Sequence, residues 1–105
     1  MLSGAQGPPV KFAALKASIA GDQPPSGLSL ALQALWWDAK GDWDKAHDCA
    51  QAARGAAGSW AHAYLHRKEG NQANAAYWYG RSGKPAPDSS LAEEWEQMAR
   101  ALLED

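Results

Sequence analysis

The run Leu28-Ser29-Leu30-Ala31-Leu32-Gln33-Ala34-Leu35-Trp36-Trp37-Asp38-Ala39-Lys40, followed at once by Gly41-Asp42-Trp43-Asp44-Lys45-Ala46, decides the fold. Leu28, Leu32, Leu35 and Ala39 recur at helical spacing and form one apolar stripe, which Leu30 and Ala34 widen. Ser29, Gln33 and Lys40 fill a narrow polar arc. Trp36 and Trp37 fall on either side of that arc, so one ring is expected under a neighbouring helix and the other near the surface. Gly41 ends this helix and Asp42 caps the next, which runs to about Arg54.

The same grammar reads outward in both directions. Pro8 and Pro9 suit the first turn of a helix that carries Phe12, Leu15 and Ile19 and ends at Gly21. Asp22–Ser26, with Pro24 and Pro25, reads as a loop, and Ser26 is a cap for the helix that follows. Gly55–Ser59 reads as a short connection, with Ser59 capping a helix from Trp60 to Glu69 that Gly70 stops. Asn71 caps Gln72 to Ser82, and Gly83 is a left-handed terminator. Lys84–Asp88 is a linker. Ser89 or Ser90 opens a closing helix over 89–104, where Glu93 and Glu94 favour the positive end and Leu91, Trp95, Met98 and Leu102 form the apolar stripe. The expected architecture is one all-α domain over 1–105 with about six short helices. Two central hairpins over 28–83 are flanked by N- and C-terminal helices, and residues 1–8 are expected to be flexible.

Composition agrees. The 105 residues include 23 Ala and 10 Leu but one Val, one Ile and no Thr, a mixture that favours helices and leaves little material for a pleated sheet. Six Trp and three Tyr stand beside one Phe, so nearly all the aromatic surface carries a polar handle. A formal charge of −2 argues against nucleic acid as a partner. That charge is unevenly spread. Arg67, Lys68, Arg81 and Lys84 oppose only Glu69 over 59–84, whereas 85–105 holds six acidic side chains against Arg100. The two segments are expected to pack together and partly neutralise each other. Cys49 stands alone, which excludes an intrachain disulfide and a cysteine-based zinc site. Neither a secretory leader pattern nor an apolar run near the roughly 18 residues of a membrane span is present. The expectation is a cytoplasmic protein with no membrane partner.

The two hairpins align at an offset of 29 residues, which lays Gly41-Asp42-Trp43-Asp44-Lys45-Ala46 on Gly70-Asn71-Gln72-Ala73-Asn74-Ala75. A tight Gly turn, a capping Asx and a small residue at a close crossing recur, as expected of a helical solenoid. The first of these stretches resembles the turn and second-helix start of a tetratricopeptide repeat. Ala75-Ala76-Tyr77-Trp78-Tyr79-Gly80-Arg81 resembles the second helix of a Sel1-like repeat. His62 through Gly70, with Asn74-Ala75 and Tyr77-Trp78-Tyr79, is also similar to a small family of bacterial proteins without an assigned activity, which implies a shared fold and no mechanism.

The tetratricopeptide resemblance implies that Trp60, Tyr64, Arg67 and Lys68 line a groove. Helical geometry independently puts these four within about 100° of arc. The leading expectation is therefore a non-catalytic protein- or peptide-binding or scaffolding module without a cofactor. Its face, extended by Trp78 and Arg81, would receive an acidic or aromatic peptide, or a second copy of the chain through an exposed Trp. The competing expectation buries Trp60 and Tyr64 against the C-terminal helix, with Arg67 and Lys68 reaching its glutamates.

One constellation points to other chemistry. His62, His66 and Glu69 follow at i, i+4 and i+7 on one helix face, and two histidines four apart can reach one metal ion. Glu69 is two turns from His62, so His47, Asp44 or Asp48 from the neighbouring hairpin is needed to complete a ligand set. The alternative function is thus a small-molecule or metal-binding protein, an enzyme included, centred on His62 and His66. Against it stand core histidines that merely pack and hydrogen-bond. Cys49 beside Asp48 makes a poor nucleophile, because the carboxylate raises a thiol pKa.

Overall fold

Asx, Ser and Gly residues punctuate the chain much as expected. The structure, a computed structural model, describes residues 10–103. The expected flexibility of 1–8 and the final residue of the expected closing helix lie outside that range. Six helices follow in order: α1 Phe12–Ser18, α2 Leu30–Ala39, α3 Trp43–Ala52, α4 Gly55–Glu69, α5 Gln72–Ser82 and α6 Leu91–Leu103. There is no strand among the described residues, so the chain is all-α. None of these helices is long and apolar enough to cross a membrane.

The caps explain the boundaries. Leu32 N–H donates to Ser29 Oγ at 3.2 Å, Lys45 N–H to Asp42 Oδ1 at 3.0 Å, and Asn74 N–H to Asn71 Oδ1 at 3.1 Å. Each side chain satisfies one of the amide donors that a helix start leaves free. At α6 the cap is reciprocal: Glu93 N–H donates to Ser90 Oγ while Ser90 N–H donates to Glu93 Oε1, a capping box. Three helix starts differ from expectation. α1 begins at Phe12, with Lys11 at its N-cap, and not at the prolines before Val10. Ser29, not Ser26, caps α2. α4 begins a full turn early, at Gly55 rather than Trp60, because Ala56 and Ala57 are strong helix formers and the chain turns tightly enough there to start at once.

That tight turn depends on Gly58. A Cβ at this position would lie 2.7 Å from Ala53 O and 2.8 Å from Ala53 Cβ, inside contact distance of backbone. Alanine improves helix propensity by about 1 kcal/mol, but overpacking against an immovable backbone costs about 1–3 kcal/mol or more. Gly58→Ala is therefore expected to lower the urea midpoint of unfolding, whereas Gly80→Ala, facing open space on α5, is expected to raise or preserve it.

Packing follows the small residues. α2 packs on α3 and α4 on α5, while α3 and α4 join the two pairs and α6 lies on α2 and α4. Ala46, Ala50, Ala61, Ala63 and Ala75 are all buried, which lets these helices approach closely. Leu15, Leu35, Trp36, Leu65, Met98 and Trp95 fill the main core. Trp36 is enclosed and donates Nε1–H to Ser18 Oγ at 3.0 Å; Trp37 is half-buried, with the Lys45 ammonium 4.2 Å from its ring. The polar tips of the buried rings thus find partners, as the excess of Trp over Phe requires.

Candidate metal centre and adjoining cleft

Helices α2 and α6 engage all four residues expected to line a docking groove, leaving Trp60 and Arg67 half-buried and Lys68 exposed. Tyr64 is buried and its hydroxyl donates to Asp38 Oδ2 of α2 at 2.9 Å, and Lys68 pairs with the other oxygen of the same carboxylate at 2.8 Å. Burial and the Asp38 carboxylate both push the Tyr64 hydroxyl pKa up. Arg67 pairs with Glu94 of α6 at 2.7 Å and also donates to the Ser89 carbonyl. Trp60 donates Nε1–H to Glu94 Oε2 at 3.2 Å. The opposed charges of 59–84 and 85–105 meet here, but Lys68 reaches Asp38 rather than a glutamate of α6. The reason is geometric: α2 and α6 close over α4 from two sides, and each carries one buried carboxylate towards it.

The histidines converge on the other side of α4. Trp43 and His47 are four apart on α3, as His62 and His66 are on α4, so both pairs project from single faces. The small side chains at 46, 50, 61 and 63 bring the faces together. His62 Nε2 and His47 Nε2 are 2.9 Å apart, and one ring nitrogen from each of His47, His62 and His66 lies within 4.8 Å of the others. The rings of His62 and His66 are stacked at 4.9 Å between centroids, and His47 meets His62 edge-on at 4.6 Å. Two indoles enclose the group. Trp43 stacks on His47 at 4.8 Å, and Trp78 of α5 stacks on His62 at 4.0 Å. His62 and His66 are 5% and 6% exposed, and His47 is half-buried.

The electrostatics favour a neutral ring at His62. Burial, with His47 and His66 close by, depresses the His62 pKa to about 4, so its imidazole is uncharged at neutral pH. His66 Nδ1–H donates to Glu69 Oε2 at 2.7 Å. A carboxylate can only accept here, so it holds the proton on Nδ1 and leaves Nε2 as a lone pair. Three nitrogens bound to one ion at about 2.0–2.1 Å sit about 3–3.5 Å apart, within a small ring movement of the present spacing. Three imidazoles and no thiolate suit zinc, copper, nickel or iron rather than magnesium or calcium. Such a set leaves a position for water or an added ligand.

Of the residues singled out in the sequence, His62 and His66 thus meet, and His47 completes the group in place of Asp44 or Asp48. Glu69 stands behind His66 and outside the cluster of ring nitrogens. Trp43 was not singled out for the site; its i, i+4 relation to His47 is the signal that marks it. Cys49 takes no part, and burial followed by Asp48 raises its pKa.

Trp78 and Arg81 border a separate feature. A cleft of about 330 Å³ opens where the end of α3 meets the start of α4, with His62 and Trp78 in its wall and Arg54 and Arg81 beside them. Arg81 lies 5.5 Å from the Trp78 ring and donates to Tyr77 Oη at 3.2 Å. Comparison of the chain with protein-family models, curated proteins and solved structures gives no match.

Proposed function

We propose that this protein binds a divalent transition-metal ion of the zinc class through His47, His62 and His66. The observation that carries this reading is the approach of three ring nitrogens, from two helices, to within 4.8 Å of one another. Three features support it. His62 is neutral near pH 7, Glu69 sets the proton position on His66, and Trp43 and Trp78 hold two of the rings in place. A hydrogen-bonded core needs one donor and one acceptor per contact, whereas a third imidazole at this distance adds a lone pair for which a cation is the natural partner.

The test is a zinc titration of the chelator-stripped protein, followed by thermal unfolding. A ligand of the native state must raise the melting temperature, by about 2.7 kcal/mol of stability at a free concentration of 100 times Kd. That corresponds to roughly 10 °C or more for a domain of this size. His66→Ala is expected to unfold cooperatively and lose the zinc-dependent increment. Magnesium is expected to do nothing. A melting temperature that neither zinc nor nickel moves refutes the proposal.

A further inference from the structure

The cleft beside the histidine cluster has the chemistry of an anion site, and no metal is needed for it. We infer that it binds a phosphate group, free or carried on a small organic molecule, between Arg54 and Arg81 at the start of α4. Four observations converge. Two arginines and no carboxylate line the cleft. Arg54 occupies the N-cap position of α4 but its side chain makes no capping bond, and no acidic residue lies in the first turn, so the positive end of a 15-residue helix has no side-chain cap. Ser59, one turn inside that helix, lines the cleft, and its hydroxyl is not held in a hydrogen bond to any other described side chain. The Trp78 ring, backed by His62, supplies a flat apolar wall.

These parts fit one ligand class. The Ser59 hydroxyl in the cleft wall can donate to an anion lodged there. Guanidinium groups pair with phosphate oxygens through parallel N–H donors, and helix amides add donors aimed at the same charge. The volume of about 330 Å³ exceeds that of a bare phosphate, so the wall at Trp78 has room for an organic body attached to it. Gly58 belongs to the same lining, and its missing Cβ keeps the connection between α3 and α4 tight against Ala53.

The experiment uses the full chain stripped of metal and kept in chelator, so that its result is separate from the fate of the zinc reading. Inorganic phosphate is titrated at constant ionic strength, by calorimetry and by the NMR shifts of the Ser59 amide and the Trp78 indole. Saturable binding is expected, with both signals moving together. Arg54→Gln and Arg81→Gln are each expected to weaken it by about tenfold or more, and the pair to abolish it. Both guanidiniums lie at the surface, so the melting temperatures of the variants should match that of the parent and exclude unfolding as the cause. Phenyl phosphate forms the second arm. Equal affinity for the two ligands identifies free phosphate as the fitting species, and tighter binding of phenyl phosphate identifies a phosphomonoester lying on Trp78. Absence of saturable binding to either ligand, or binding that survives the double arginine variant, overturns the inference.

Discussion

Glu94→Ala is expected to destabilise the protein by about 3–5 kcal/mol, the range for breaking a buried ion pair from one side. The carboxylate is 1% exposed and sits where α4, α5 and α6 meet. Tyr79 Oη lies 2.9 Å from Oε1 and 2.7 Å from Oε2, Arg67 donates to Oε1 at 2.7 Å, and Trp60 donates to Oε2 at 3.2 Å. Removing the acceptor leaves a phenol and an indole N–H without this partner and the Arg67 guanidinium with the Ser89 carbonyl alone, and each loss carries its own desolvation cost. A domain of this kind has about 5–15 kcal/mol in total, so the loss is a large fraction of its stability. Glu94→Gln keeps the size and one acceptor oxygen, and is expected to cost less. Urea unfolding monitored by Trp fluorescence measures both: midpoints should fall in the order parent, Gln, Ala with similar slopes. A Glu94→Ala midpoint equal to that of the parent would show that the carboxylate does not tie α6 to α4 and α5.

Glu94 also shows where reading the sequence stops. The caps at Asp42, Asn71 and Ser90/Glu93 are local chemistry, legible within four residues, and the helix order follows from them. Glu94 reads locally as one more acid at a helix start, next to the capping Glu93. Only the crossing of α6 over α4 turns it inward. Tyr64 and Trp60 behave likewise: their helical positions were legible, but which helix would cover them was not. The early start of α4 was hidden for a different reason. Gly55 and Gly58 look like loop residues, and the need for a glycine at 58 arises from Ala53, a contact between two elements. At the histidine cluster the i, i+4 pair His62/His66 was visible, and His47 was one of three candidates for completing it. Choosing among the three required the rotation of α3 about its own axis, which Ala46 and Ala50 set by turning inward.

The cluster carries the second large effect, a loss of stability on acidification. His62 titrates at about 4 in the folded protein, against about 6.5 for an unperturbed histidine in the unfolded chain. The unfolded state therefore binds more protons between these values, and stability rises with pH across this window. The contribution is fully present above about pH 6.5, drains away as pH falls towards 4, and changes no further below that. Its size is on the order of 1–3 kcal/mol. The cause is physical crowding: protonating His62 places a cation in a buried site beside His47 and His66, with Trp78 stacked on its face. Urea midpoints measured from pH 7.5 to 4 are expected to fall steeply below 6.5, and to fall less in His62→Gln, which has no proton to take up. The His62 ring resonances followed by NMR in the folded protein should show a midpoint near 4. Zinc sharpens the contrast, because coordination requires lone pairs that protons compete for. Its stabilising increment should be largest at pH 7.5 and decline as the pH falls towards 4, whereas a flat dependence on pH would place the ion somewhere other than these three imidazoles.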